Sequence, residues 1–129
     1  MKSKRQKSIE KTTSRYWLKK ADLAWGKHIH TIYDKCLISN GCCAGPLQAH
    51  HLINRAIRAT RHCPKNGVLL CSYHHIWSNT LSAHGAPLAF AKWLIENRPE
   101  RYKWAMEHHD DWKIGKPDYK AAYDRLEAL

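Results

Sequence analysis

The stretch "QAHHLIN", residues 48–54, decides how the chain is read. Two adjacent histidines, His50 and His51, stand on a segment from Leu47 to Ile53 that is short enough for one strand. A polar loop follows, roughly Asn54 to Asn66, carrying Arg55, Arg58, Arg61 and Pro64. Then "GVLLC", residues 67–71, reads as a brief apolar strand, and a helix is expected from about Ser72 to Leu81 with Ser72 as its cap. That helix carries a second histidine pair, His74 and His75. The order is strand, long loop, strand, helix.

Outward from this centre the pattern is helical. Leu18, Ala21, Trp25, Ile29 and Ile32 recur at spacings of three and four, which predicts a helix over about 13–33. Residues 1–12 are polar and rich in Lys, and read as a flexible basic arm. Pro87, Pro99 and Pro117 each suit a helix start, so the C-terminal helices are expected over about 87–128. The expected fold class is α+β, mainly helical: one domain over 13–129, with its core motif at about 36–82.

Composition narrows the partner. Lys and Arg number 22 against 11 acidic residues, a formal charge of +11, which favours a polyanion and nucleic acid first. No uninterrupted apolar run approaches a membrane span, and no apolar signal core follows "MKSKRQKSIEK". A cytoplasmic chain that does not enter a membrane is the expectation. The five cysteines are odd in number, so metal ligands or free buried thiols are favoured over a disulfide framework.

Spacing within the central motif is informative. Fourteen residues separate His51 from Asn66, eight separate Asn66 from His75, and three separate His75 from Asn79. On a helix the last spacing places His75 and Asn79 on one face, where both can approach one ion. Imidazole accepts a proton at neutral pH, and a divalent ion with open positions neutralises phosphate charge, so the residue types suit phosphodiester hydrolysis.

At these positions the chain resembles the HNH nucleases, which carry the ββα-metal fold. The spacing is particularly similar to that of the nuclease colicins, in which a His-His pair precedes an Asn and two helical histidines. The resemblance covers roughly a third of the chain, Cys36 to Asn79. It implies His51 as general base, with Asn66 holding the loop and positioning that base. His50 and His75 match ligands of a catalytic divalent ion, Mg²⁺, Mn²⁺, Ni²⁺ or Zn²⁺. Asn79 stands where the colicins have His. Small free-standing HNH proteins are common in phages, so a host-cell cytoplasmic setting is implied.

Many HNH proteins also carry two cysteine knuckles around the motif that bind structural Zn²⁺. Here Cys36, Cys43, Cys71 and His74 would form that site. Cys42 is the alternative to Cys43, and Cys63 is expected only to fill space. Arg55, Arg58 and Arg61, three apart beside His51, are expected to meet DNA phosphates. His62, His84, His108 and His109 are assigned to surface or core; "EHHDD", residues 107–111, has no metal-site spacing. A monomer or homodimer is compatible with the sequence. A zinc-stabilised DNA-binding module that does not cut is the alternative reading, and an RNA-directed nuclease or toxin a weaker one.

Overall fold

The computed structural model describes residues 1–129. Helix α1 runs from Lys4 to Ile32, β1 from Leu47 to His51, β2 from Gly67 to Cys71. Three shorter helices follow: α2 at Pro87–Asn97, α3 at Pro99–His108 and α4 at Tyr119–Glu127. The chain is therefore α+β and mainly helical, around a two-stranded antiparallel hairpin.

Helix α1 reaches back almost to the N-terminus, through the residues expected to form an arm. The cause is local. Ser3 accepts from the Gln6 amide at 3.1 Å while the Gln6 side chain accepts from the Ser3 amide at 2.9 Å, a reciprocal cap that starts a helix without tertiary help. Only the C-terminal half has a buried face, made by Ala21, Ala24, Trp25 and Ile29.

The hairpin register pairs Leu47 with Cys71 and His51 with Gly67. Every β2 residue is buried, which explains why "GVLLC" is a continuous apolar run rather than an alternating one. Leu69 faces the cluster of Ala24, Trp25, Ile29 and Leu126, from α1 and α4. Val68 and Leu70 face the opposite way, onto Leu37, Phe90 and Leu94. The hairpin is thus held between α1 on one side and α2 on the other. Gly67 permits this closeness: a Cβ there would lie 2.3 Å from Ile29 and 2.7 Å from Trp25. No helix is long and apolar enough to cross a membrane.

After β2 the chain makes one π-helical turn, Tyr73–Trp77, closed by the Ser78 amide on the Tyr73 carbonyl at 2.9 Å. The helix expected to continue to Leu81 stops here. Ser78 is extended, and its hydroxyl accepts from the amides of Thr80 and Leu81 at 3.2 and 3.0 Å. That local capture of backbone donors competes with helix propagation and redirects the chain.

Candidate active site and candidate metal centre

The first cluster lies at the edge of the hairpin. Cys36 follows α1, Cys43 sits in the turn after Asn40, Cys71 ends β2, and His74 lies on the π-helical turn. The Cys43 amide donates to the Asn40 carbonyl at 3.2 Å, and the Tyr73 amide to the Ala44 carbonyl at 3.1 Å, so the two ligand-bearing turns are tied together. His74 Nδ1 stands 3.7, 3.5 and 3.2 Å from the sulfurs of Cys36, Cys43 and Cys71. Tetrahedral zinc with ordinary Zn–S and Zn–N bonds requires an S···N separation of about 3.6 Å. The residues therefore fit a closed Cys₃His site, and the cluster could hold a metal such as zinc. Cys42, next in chain to a ligand, is exposed and outside the cluster.

Electrostatics supports the same fit. Burial and the adjacent Cys36 and Cys71 push the Cys43 thiol up to about 11. Burial also opposes ionisation of Cys71, yet the amides of His74 and Ala44 outweigh it and draw that thiol below its ordinary value. Three sulfurs this close need a cation to be anionic together.

The second cluster faces a cleft of about 660 Å³. His50 projects from β1, His75 from the π-helical turn, and His84 from the loop before α2; their ligand nitrogens lie within 4.8 Å of one another. Ring centroids are 5.1 Å apart for His50–His75, 5.1 Å for His50–His84 and 4.9 Å for His75–His84. His75 uses Nδ1 towards the Gln48 side-chain oxygen at 2.7 Å, which leaves Nε2 with its lone pair. Burial, then His75, His84 and His51 nearby, pushes His50 down to about 3. Burial and His84 also lower His75. The His50 and His75 rings are accordingly neutral at neutral pH, the form that binds a metal.

His51 lines the same cleft but belongs to the other face of the hairpin. Its ring stacks on Trp25, with centroids 3.8 Å apart. Its Nε2 donates to the Arg61 carbonyl at 2.9 Å, so Nδ1 is the atom free to accept a proton. Burial holds His51 down at about 4, against the Arg61 carbonyl bond, which favours the charged form. The Arg61 segment is itself anchored. Asp22 accepts two bonds from the Arg61 guanidinium, both at 2.8 Å, and one from His62 Nε2 at 2.8 Å. Although burial disfavours its charge, the His62 and Arg61 bonds bring Asp22 down to about 2.

Asn66 is fully buried. Its side-chain oxygen accepts from the Ile53 amide at 2.7 Å, and its amide donates to the carbonyls of Ile53 and Thr60 at 3.0 and 3.1 Å. It closes the loop between the strands by satisfying three backbone groups, and contributes nothing to either cluster.

Three sequence expectations are placed elsewhere. Asn79 is exposed beyond the end of the π-helical turn and does not line the cleft that His50 and His75 face. His84, assigned to surface or core, stands in that place. The connecting loop is built for it: His84 donates its amide to the His75 carbonyl at 2.9 Å, and Gly85 donates to the buried Ser82 hydroxyl at 2.8 Å. A Cβ on Gly85 would meet the Ser78 carbonyl at 2.4 Å. Arg61 is occupied by Asp22 rather than free for phosphate, whereas Arg55 lines the cleft and Arg58 lies on a separate groove. The parts that Trp25, Asp22 and Gln48 play beside the histidines also escape sequence reading, because contacts of indole, carboxylate and amide across the fold carry no spacing signal. Comparison with protein-family models, curated proteins and solved structures finds no match to this chain.

Proposed function

We propose that the chain is a metal-dependent endonuclease of the HNH type, with a ββα-metal centre, that hydrolyses DNA phosphodiester bonds. One observation carries the reading. Three imidazoles able to share an ion, and a fourth with a free Nδ1, line one open cleft.

His51 Nδ1 takes a proton from water. The water oxygen forms its bond to phosphorus as the bond from phosphorus to the leaving 3′ oxygen breaks, and that oxygen takes a proton from solvent, giving a 5′ phosphate and a 3′ hydroxyl. Trp25 and the Arg61 carbonyl hold the imidazole in one orientation and one tautomer, which removes a rotational search before proton transfer. Asn66 keeps the loop that supplies that carbonyl against β1. His50, His75 and His84 would hold a divalent ion, which supplies positive charge against the scissile phosphate and the leaving oxygen. With His84 rather than Asn79 as third donor, the set is all nitrogen and suits Zn²⁺ or Ni²⁺ better than Mg²⁺. The Cys₃His cluster would hold a second, structural ion.

Nicking of supercoiled plasmid tests this, with Zn²⁺, Ni²⁺, Mn²⁺ and Mg²⁺ supplied in turn and an RNA substrate beside the DNA. Nicking is expected to stop with chelator. In His51→Ala it should fall about 100-fold or more while DNA binding stays nearly intact. Absence of nicking with every ion would leave a zinc-stabilised DNA-binding module. Cleavage of RNA alone would change the substrate.

A further inference from the structure

We propose that the groove between α1, the loop over 54–63 and the segment before α4 is a track for the phosphodiester backbone of duplex nucleic acid. It rests on the nucleic-acid reading of the cleft.

The groove, of about 440 Å³, is lined by Lys7, Lys11 and Arg15 from α1, Arg58 from the loop, and Lys116. Lys7, Lys11 and Arg15 are four apart and so share one helical face. None of these five cations has a carboxylate partner; the ion pairs of the chain involve other residues. The one acid on the groove, Glu10, is paired with Lys2 at 2.8 Å. Five uncompensated positive charges brought together from three parts of the fold repel one another, and a polyanion relieves that repulsion. Only two of the ten lining residues are hydrophobic, so an apolar ligand is disfavoured.

Geometry sets the register. From Lys7 to Leu18 α1 extends about 17 Å, the span of about five phosphates of one strand. One loop serves both the cleft and the groove: Arg55 lines the cleft, Arg58 and Arg61 line the groove, and the Arg61 carbonyl holds His51. A strand positioned at His51 and continuing along the duplex passes over this loop onto α1.

The test is binding to a labelled duplex of about 30 base pairs, in the His51→Ala background so that the probe stays whole, over a range of salt. The groove variant carries Lys11→Gln, Arg15→Gln and Lys116→Gln. A charge-matched control carries Lys27→Gln, Lys92→Gln and Lys103→Gln, all exposed and off the groove. The groove variant is expected to bind at least about tenfold more weakly near 0.1 M salt, with a log–log salt slope shallower by about 2 to 3. The control should retain most of its affinity. Equal losses in both variants, or no loss in the groove variant, overturns the proposal, as does tighter binding to phosphatidylserine vesicles than to duplex. Because this assay requires no cleavage, a chain that binds through the groove and never nicks a plasmid refutes the nuclease reading while the track stands.

Discussion

The imidazole of His51 lies flat on the indole of Trp25, the ring planes 8° from parallel and the centroids 3.8 Å apart. The indole Nε1 in turn donates to the Cys63 carbonyl at 3.0 Å, so α1 grips the C-terminal end of the loop that faces His51. Trp25 is 4% exposed, and Trp25→Ala should cost about 3–5 kcal/mol, read as a shift in denaturation midpoint. Trp25→Phe keeps the stack and loses one hydrogen bond, so its cost should be nearer 1–2 kcal/mol. Equal costs for the two would contradict the stacking role.

Asn66→Ala should destabilise the fold by about 2–5 kcal/mol, because three backbone groups lose their partner in a site with no solvent access. Asn66→Asp should be at least as damaging, since it presents charged oxygen to the carbonyls of Ile53 and Thr60. Thermal unfolding of the two variants measures this. A neutral outcome for Asn66→Asp would show that the loop is held by something else.

Metal stoichiometry separates the clusters. Cys43→Ser should abolish tight binding of one equivalent of zinc, whereas Cys42→Ser should leave it unchanged. Both effects are read in a chelator-competition titration.

In the same titration, Gly85→Ala should weaken the imidazole site about tenfold or more and spare the sulfur site. Its Cβ would strike the Ser78 and Ile76 carbonyls, at 2.4 and 2.7 Å, and displace the loop that presents His84. Equal weakening of both sites would refute the assignment.

Acidification should destabilise the chain. His50 is held at about 3 and His51 at about 4, against 6.5 for an ordinary histidine. Between those limits the unfolded chain binds protons that the folded chain refuses. Their contribution is complete above about pH 6.5 and is lost as pH falls towards 3. The slope is about 1.4 kcal/mol per pH unit for each proton. Protons and an ion compete for the same lone pairs on His50, so a bound ion gives the same sign there. His50→Gln should flatten the stability–pH curve between about pH 6 and 4 by up to one proton. An unchanged slope would argue that His50 is solvated.

Much of this was legible in residue order, for reasons of range. The hairpin at 47–51 and 67–71 reads directly, since an apolar run between turn signals leaves a buried strand few alternatives. Cys71 and His74 could be paired because C-x-x-H has the short spacing of a zinc knuckle, whereas Cys36 and Cys43 join them only through the family resemblance. His84 could not. Its approach to His75 depends on a nine-residue excursion shaped by Ser78, Ser82 and Gly85, whose hydrogen bonds have no periodicity. Asn79 was misplaced for the same reason: helical spacing was assumed through a serine that ends the turn. The body of α1 is legible from about residue 13, but its extension back to Lys4 is not, because the density of charge there suggests an arm although Ser3 and Gln6 spell a reciprocal cap.

His74 and His75 are consecutive, yet one points to sulfur and the other into the cleft. A single peptide unit therefore joins two clusters that could each hold an ion. Whatever occupies the thiol pocket limits how far the neighbouring ring can swing, and by reciprocity each loading equilibrium biases the other. Emptying the thiol cluster would then be felt across one peptide bond, as a loosening of the His75 ring.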